Sequence, residues 1–275
     1  MKKIFETVAT GESFPKSMKE FLISLGLSMA LIKEAKYGGI LLNGEAVTVR
    51  AAVRRGDKVE ILLREEKSEN VEPMDIPLRV LYEDDDIIAV DKPTNMPTHP
   101  SRGNSLPTLG NAIMGYFGGD FVFRSVNRLD RDTSGIVVIA KNRISAYKLS
   151  ESMKRGLWKK KYHALISGVP SEKSGVIDAP IAREAEGQLK RVVSNVGKRA
   201  ISEYRVIEEY CDSALCEVIL YTGRTHQIRV HMAHIGHPLV SDFLYGDRCD
   251  REYFLRCKEI TFPHPKTGEN VTILA

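Results

Sequence analysis

Apolar and polar residues near the start of the chain follow two different periods. The first apolar set recurs at helical spacing and is interrupted by Gly26, which predicts two short helices. The set comprises Met18, Phe21, Leu22 and Leu25, followed by Leu27, Leu31 and Ile32. The stretches ILLNGEAV and VRRGDKVEILL then alternate, with tight turns at their Asn-Gly and Gly-Asp steps, and predict short strands. Residues 14–63 are therefore predicted to form a small module of two helices and a sheet.

A charged stretch that contains proline separates this module from the rest of the chain. Its sequence, REEKSENVEPMDIP at residues 64–77, is typical of a linker. The following LRVLYEDDDIIAVDKP predicts a β-hairpin with an acidic turn, and the long polar loop 94–107 after it is predicted to be functional. A helix is predicted near residues 108–116. We divide the chain into an N-terminal module at 1–66, a linker at 67–77 and a main domain at 78–275.

The composition is that of an ordinary globular protein. Among 275 residues, 43% are hydrophobic and 28% are charged, which excludes collagen-like, disulfide-scaffold and wholly disordered classes. No apolar run approaches the roughly 18 residues of a membrane helix, and no apolar signal segment follows the N-terminal lysines. We therefore expect a cytoplasmic protein with no membrane partner. The net charge of +4 is too small to identify a partner class, so local clusters must do so.

The densest polar cluster lies at residues 126–141, VNRLDRDTSGIVVIAK, directly before a buried strand. Asp130 and Asp132 alternate there with Arg128 and Arg131. A carboxylate beside guanidinium groups stays ionised, which suits a nucleophile or a base in a cleft. The alternative is a capped turn whose ion pairs are exposed to solvent.

A second cluster, at residues 153–168, combines basic and aromatic side chains. It places Trp158 and Tyr162 among Lys154, Arg155, Lys159, Lys160 and Lys161. Basic groups neutralise phosphates and aromatic rings stack on bases, so this combination indicates RNA. The alternative is a helix capped by Gly156 and a strand in which Tyr162 belongs to the core. Lys33 and Lys36 on the second predicted helix are a further basic surface, which is equally well explained as a solvated face.

The third cluster, at residues 222–242, is rich in histidine and arginine. Its histidines are His226, His231, His234 and His237. A zinc site must be considered, but the segment has no HExxH pattern and no paired cysteines. The alternative uses Arg224 and Arg229 to bind anions, because guanidinium groups match phosphate and carboxylate in bidentate fashion.

Four motifs, in this order, resemble the RluA-type family of RNA pseudouridine synthases: DKPTNMPTHP, NRLDRDTSG, KKYHALISG and GRTHQIRVHM. The N-terminal module, with GGILLNGEAV and RRGDKVEI, resembles an S4 RNA-binding domain. The resemblance implies an α+β fold class. It predicts a catalytic domain with a mixed, largely antiparallel β-sheet and flanking helices, preceded by a small S4-like α/β module.

The resemblance also implies roles for particular residues. Asp130 is expected to attack the target uridine, and Tyr162 to stack on the displaced base and assist proton removal. Arg229 is expected to pair with Asp130 and hold it ionised, and Arg128 to help displace the base. The residues expected to bind RNA are Arg128, Arg131, Lys160, Lys161, Arg224, His226, Lys33 and Lys36. The isomerisation has no redox change and no net hydrolysis, so we expect no metal and no organic cofactor.

Two positions depart from the family pattern. Asn127 stands where histidine is common, and we expect its amide still to form hydrogen bonds although it cannot titrate. Asn95 stands where glycine is usual, and Asn is the non-glycine residue that best tolerates a left-handed backbone. We therefore expect the loop backbone to be preserved.

The expected partner is structured RNA, with ribosomal RNA favoured over transfer RNA, and we expect a monomer with no obligate protein partner. Two rival functions remain open at this point. One is an S4-type protein that binds RNA without altering it, which would not need Asp130. The other is a metal-dependent hydrolase built on the histidines with Asp242.

Overall fold

The computed structural model describes residues 2–10, 13–63, 71–100, 107–246 and 252–275. Within these ranges the chain forms an N-terminal module and a main domain with a large sheet, which confirms the expected α+β class. The module contains β1 (Lys2–Val8), β2 (Lys16–Ser17), α1 (Met18–Ser24), α2 (Met29–Ala35), β3 (Ile40–Leu42), β4 (Glu45–Ala46), β5 (Ala52–Val53) and β6 (Lys58–Leu63).

The main domain alternates strands with three helices along the described chain. Its elements are β7 (Arg79–Glu83), β8 (Ile87–Lys92), α3 (Leu109–Tyr116), β9 (Ser134–Ala140), α4 (Arg143–Lys154), β10 (Lys159–Ser167), β11 (Ser174–Asp178), β12 (Ile181–Arg183), β13 (Arg191–Val193), β14 (Ile201–Glu209), β15 (Ser213–Leu220), α5 (Gln227–His234), β16 (Leu255–Pro263) and β17 (Asn270–Leu274). No helix in the described ranges is long and apolar enough to cross a bilayer.

The two predicted helices of the module are confirmed. Ser17 begins α1 with a capping box that includes Glu20, and the Ser28 side chain accepts a hydrogen bond at the start of α2. Strand β1 was not predicted. It pairs antiparallel with β6, and so it depends on a partner that is distant in sequence.

The module rests on helix α4 of the main domain. Ile144 of α4 is 4% exposed and lies in the apolar core of the module, whereas Leu149 of the same helix is buried in the core of the main domain. Arg143 donates from both terminal nitrogens to the Glu34 carboxylate of α2, at 2.5 and 2.7 Å. An apolar contact and an ion pair thus hold the two parts together.

The second half of the predicted linker is not a free tether. The backbone N–H of Met74 donates to the Asn111 carbonyl of α3 at 3.0 Å, and the Asn111 side chain donates to the Glu72 carbonyl at 2.8 Å. Residues 64–70 lie outside the described ranges, so the domain boundaries remain a prediction.

The large sheet is largely antiparallel, as expected. Its described strands follow the order β11-β14-β15-β10-β16-β9-β8-β7, with β17 pairing on β16. The predicted hairpin is confirmed by the antiparallel pairing of β7 with β8. Strands β9 and β16 pair in parallel at the first residues of β9. The loop 126–133 leads directly into β9, so it ends beside an interior strand of the sheet. Apolar residues of β8 and β9 are fully buried, so the loops that leave these strands start from a rigid base.

Gly135 allows the close approach of β9 to β16. Its φ is +108°, and a Cβ atom at this position would lie 2.2 Å from the carbonyl oxygen of Cys257. Both the backbone conformation and the neighbouring strand therefore exclude a side chain.

We predict that Gly135→Ala lowers the free energy of unfolding by at least about 2 kcal/mol more than Gly156→Ala. Gly156 also has a positive φ, of +73°, but nothing lies within 4 Å of its Cβ position, so only the conformational cost of about 1 to 2 kcal/mol applies there. Urea unfolding of both variants measures the difference. Equal losses of unfolding free energy in the two variants would show that the close contact with Cys257 adds no cost at Gly135.

Candidate active site

A pocket of about 190 Å³ opens between the loop that precedes β9, strand β10, and the segment that joins β15 to α5. Among the residues predicted from the sequence, seven line it: Arg128, Asp130, Lys160, Tyr162, Arg224, His226 and Arg229. The three sequence clusters, which are far apart along the chain, therefore meet at one place.

Asp130 presents a carboxylate to this pocket. Its side chain is 25% exposed, and among the described residues no donor forms a hydrogen bond with the carboxylate. The nitrogen Nε2 of the His226 ring lies 3.9 Å from Oδ2 of Asp130. The backbone of the loop is held by the Thr133 N–H, which donates to the Asp130 carbonyl at 3.2 Å. The loop backbone at Asp130 is thus held by a hydrogen bond, whereas its carboxylate is hydrogen-bonded to no residue that the structure describes.

Lys92 holds the Asp130 loop in place, and sequence reasoning missed it. This lysine is fully buried at the end of β8, within the DKP motif. Its ammonium group donates to three carbonyl oxygens, those of Pro93 at 2.9 Å, Met96 at 2.6 Å and Arg131 at 3.0 Å. Burial lowers the pKa of Lys92 to about 8, while the nearby carboxylates of Asp132 and Asp130 oppose the change. A lysine at the end of a buried strand was the available signal.

The two departures from the family pattern behave as expected. The Asn127 amide donates to the Ile136 carbonyl at 3.0 Å and accepts from the Val138 N–H at 2.8 Å, so it ties the loop to β9. Asn95 has a φ of 59°, which is the left-handed conformation that an asparagine tolerates. Both expectations are confirmed.

Strand β10 directs alternate side chains to opposite faces of the sheet. Lys160 and Tyr162 face the pocket, whereas Lys161 donates to Glu259 at 3.0 Å and lies outside the pocket. Burial lowers the pKa of Lys160. Burial also raises the pKa of Tyr162 well above 10, and the neighbouring Cys257 and Asp130 act in the same direction. The phenol of Tyr162 is therefore protonated at neutral pH.

The prediction that Trp158 belongs to an exposed aromatic surface is wrong. Its side chain is 5% exposed, stacks on Phe262 with ring centroids 4.5 Å apart, and donates from Nε1 to Ser152 at 2.8 Å. It belongs to the core, because its ring is buried against Phe262 and its polar atom has a partner inside the protein.

The expected ion pair between Arg229 and Asp130 is also wrong. Arg229 instead donates to both carboxylate oxygens of Asp242, from Nε at 2.7 Å and from Nη2 at 2.6 Å. The Asp242 side chain is fully buried and also accepts the backbone N–H of Leu244 at 3.0 Å. Arg229 pairs with Asp242 and not with Asp130, because two parallel hydrogen bonds to one fully buried carboxylate make a strong ion pair. Burial alone lowers the pKa of Arg229, but Asp242 and other nearby groups outweigh this and raise it.

Three aromatic rings surround the Arg229 guanidinium. The centroids of Phe243, Tyr245 and Tyr253 lie 5.2, 5.0 and 5.8 Å from its Cζ atom. Contacts of this kind stabilise a cation through the ring faces. None of these rings was predicted from the sequence, since they follow Asp242 without a recognisable spacing.

The four histidines of the third cluster do not converge. His231 contacts Ser202 at 2.9 Å and the Ala179 carbonyl at 3.0 Å, and His237 contacts the Ser167 carbonyl at 2.9 Å. His234 is exposed on α5. No group of three or more His, Cys, Asp or Glu side chains in the described ranges is arranged to hold a metal ion.

The remaining predicted RNA contacts lie on the surface. Arg131 is exposed, pairs with Asp132 at 2.9 Å and does not line the pocket. Arg224 is exposed at the pocket edge and donates from Nε to the Arg199 carbonyl at 2.9 Å. Lys33 and Lys36 are exposed on the module, away from the pocket.

A model of the RNA pseudouridylate synthase family matches residues 86–234, a range that contains Asp130, Tyr162 and Arg229. The RNA pseudouridine synthase YjbO of Bacillus subtilis is 36% identical over 263 residues, which cover 93% of both chains. The ribosomal large subunit pseudouridine synthase D of Pasteurella multocida is 39% identical over 75% of this chain and 65% of its own length.

The solved structure of the human RNA pseudouridylate synthase domain containing 1 protein is also similar. It has a TM-score of 0.62 and 26% sequence identity, and the match covers 72% of this chain and 83% of that one. The chain therefore belongs to the RNA pseudouridylate synthase family. Its members are isomerases that modify RNA, which confirms the class of enzyme expected from the four motifs.

We predict that Asp242→Asn lowers the free energy of unfolding by about 3 kcal/mol or more, because it leaves the Arg229 charge buried and uncompensated. Glu151→Gln is the control, since it breaks a pair with Lys154 whose side chain is 70% exposed, and it should cost less than about 1 kcal/mol. Urea unfolding curves compare the two. A loss for Asp242→Asn no larger than that of the control would contradict the prediction.

Proposed function

We propose that this enzyme converts uridine to pseudouridine in large-subunit ribosomal RNA, with Asp130 as the nucleophile. The observation that carries the proposal is the Asp130 carboxylate, which faces Tyr162 across one pocket and has no hydrogen-bond donor among the described residues. A carboxylate that only held RNA would be unfavourable beside phosphates. A free carboxylate in a half-buried pocket instead suits covalent catalysis.

The reaction conserves every atom of the nucleoside. The bond between N1 of uracil and C1′ of ribose breaks, the uracil rotates, and a bond forms between C5 and C1′. The hydrogen on C5 leaves to solvent and N1 gains one. Asp130 attacks C1′, or it acts through a glycal or through an adduct at C6. In each route the protein must keep the detached uracil in place, and the walls of the pocket serve this purpose.

Tyr162 is proposed to bind the base by stacking. Its ring lies in the pocket, and its protonated phenol donates a hydrogen bond in preference to accepting a proton. Removal of the C5 proton by this residue would require the phenolate, which the raised pKa disfavours. The stacking role is therefore better supported than the role in proton removal.

The target base must leave its stack before it reaches Asp130. A pocket of about 190 Å³ admits a nucleobase but not a helix, and extrusion costs a few kcal/mol. Arg128 is exposed beside the pocket and is proposed to occupy the space that the base leaves. Loops and irregular helices make extrusion least costly, so structured RNA with such features is the proposed substrate.

Ribosomal RNA is proposed over transfer RNA because several similar proteins carry that substrate in their names. Ribosomal large subunit pseudouridine synthases D from Pasteurella multocida and Haemophilus influenzae are 39% and 40% identical to this chain. The N-terminal module is proposed to be an S4-type RNA-binding domain. Because Ile144 fixes it against α4, it would add a second RNA contact at a defined position.

We predict that Asp130→Asn abolishes tritium release from RNA labelled at C5 of uridine, whereas the wild type releases it. Pseudouridine formation expels that hydrogen, and an amide cannot act as the nucleophile. The RNA is prepared from a strain that lacks this gene, and ribosomal and transfer RNA are assayed separately. Asp132→Asn is the matched control, because its carboxylate pairs with the exposed Arg131 outside the pocket.

Release by Asp130→Asn at the wild-type rate would exclude Asp130 as the nucleophile. Release from the transfer RNA fraction alone would overturn the proposed substrate. No release by the wild type from free RNA or from ribosomal subunits, with RNA binding intact, would favour an S4-type protein that only binds RNA.

We predict that Lys33→Ala combined with Lys36→Ala weakens RNA binding and reduces its salt dependence by about one unit of slope per lysine, because each removes a phosphate contact. The turnover number should change little. Lys173→Ala is the control, since this exposed lysine belongs to the main domain, pairs with Glu209 and does not line the pocket. RNA titrations at several salt concentrations measure the slope of the logarithm of the binding constant against the logarithm of the salt concentration. An unchanged slope would show that the two lysines do not contact RNA.

A further inference from the structure

A line of polar contacts connects strand β13 to the nucleophile. The backbone N–H of Arg191 donates to the Tyr245 hydroxyl at 2.9 Å, and that hydroxyl lies 2.7 Å from Nδ1 of His226. The other ring nitrogen of His226, Nε2, faces Oδ2 of Asp130 at 3.9 Å. His226 therefore lies between a fixed hydroxyl and the proposed nucleophile.

These contacts favour one of the two tautomers of the neutral imidazole. The Tyr245 oxygen accepts the N–H of Arg191, so its own O–H is available to donate to Nδ1. A neutral imidazole that accepts at Nδ1 carries its hydrogen on Nε2. That hydrogen points toward Asp130.

The charges around His226 favour the neutral ring. The groups that face it are the carboxylates of Asp130 and Asp242, the guanidinium groups of Arg229 and Arg191, and the Tyr245 hydroxyl. Burial lowers the pKa of His226, and the two arginines lower it further against the opposing carboxylates. At neutral pH the neutral ring is therefore favoured over the imidazolium.

The backbone at His226 is unusual for the start of a helix. Its φ of 58° and ψ of 21° are left-handed, and its side chain makes no capping hydrogen bond to α5. The other described helices α1 to α4 all begin with a side chain that caps them. A strained residue that gives up the capping role is typical of a functional position. The imidazole of this residue lines the pocket.

We propose that His226 is a positioning residue, whose Nε2–H donates to Oδ2 of Asp130 and leaves Oδ1 to attack the uridine, with Tyr245 fixing the tautomer. This inference rests on the proposed role of Asp130. A closure of about 1 Å brings the two atoms within hydrogen-bond distance. The role differs from the RNA contact expected from the sequence, because the partner of His226 is the enzyme's own carboxylate.

The first test reads the imidazole itself and needs no substrate. Long-range nitrogen–proton NMR of the full chain, with the His226 signals identified by their loss in His226→Asn, reports the tautomer and the pKa. We expect a hydrogen on Nε2 and none on Nδ1 at pH 7.5. Asp130→Asn should lower the pKa of His226 further, because it removes a facing negative charge. A hydrogen on Nδ1, or a pKa that ignores Asp130→Asn, would overturn the proposal.

The second test compares three variants in tritium release. Asparagine tolerates the left-handed backbone but is too short to reach Asp130, so His226→Asn should lower kcat about 30-fold with KM nearly unchanged. Glutamine carries an N–H donor at longer reach, so His226→Gln should recover at least about 5-fold of that loss. His234→Asn, on the exposed part of α5, is the control.

The pH profile separates positioning from a structural role. In the wild type, kcat should fall at acid pH, below the ordinary pKa of histidine, as His226 becomes an imidazolium and binds Asp130 as an ion pair, and His226→Gln should lack this fall. Equal losses of kcat in the Asn and Gln variants with the wild-type profile, or a change in KM alone, would overturn the proposal. Absence of tritium release by the wild type would refute the proposed function, and the NMR result would still decide the contact.

Discussion

A single buried ammonium group joins the loop that follows β8 to the loop that carries Asp130 into the pocket. Lys92 ends a buried strand, and its three hydrogen bonds reach carbonyls of the loop behind it and of the loop that carries Asp130. A buried cation is costly unless every one of its donors is satisfied, and here all three are. The position of Asp130 therefore depends on a buried interaction of a residue that does not line the pocket. Asn127 and Gly135 complete the arrangement by tying the same loop to the central strands.

The charges of the site are divided between two separate carboxylates. Asp242 takes both donating edges of Arg229 and removes that guanidinium from direct contact with Asp130. Asp130 keeps the electrostatic influence of Arg229 without being bound by it. Asp242 thus forms the closed ion pair, and the Asp130 carboxylate stays outside it, as its proposed role as nucleophile requires. The aromatic rings around Arg229 fix the cation further.

Sequence patterns predicted the parts of the structure that depend on neighbours along the chain. The capped helices at Ser17 and Ser28, the β7–β8 hairpin and the left-handed Asn95 all have local causes. The motifs also located Asp130 and Tyr162 in one pocket. Sequence patterns gave no prediction, or a wrong one, where the structure depends on a partner that is distant along the chain. Examples are strand β1, the buried Trp158 and the pairing of Arg229 with Asp242. Such contacts form only after the sheet has brought separate segments together, so no spacing encodes them.

Helix α4 belongs to two hydrophobic cores at once, through Ile144 on one side and Leu149 on the other. Neither core can loosen without disturbing the helix that the other also uses. Heat should therefore melt the N-terminal module and the main domain as one cooperative unit, although their sheets are separate. RNA held by either part would raise the melting temperature of both, because ligand binding to the folded state stabilises everything that unfolds with it.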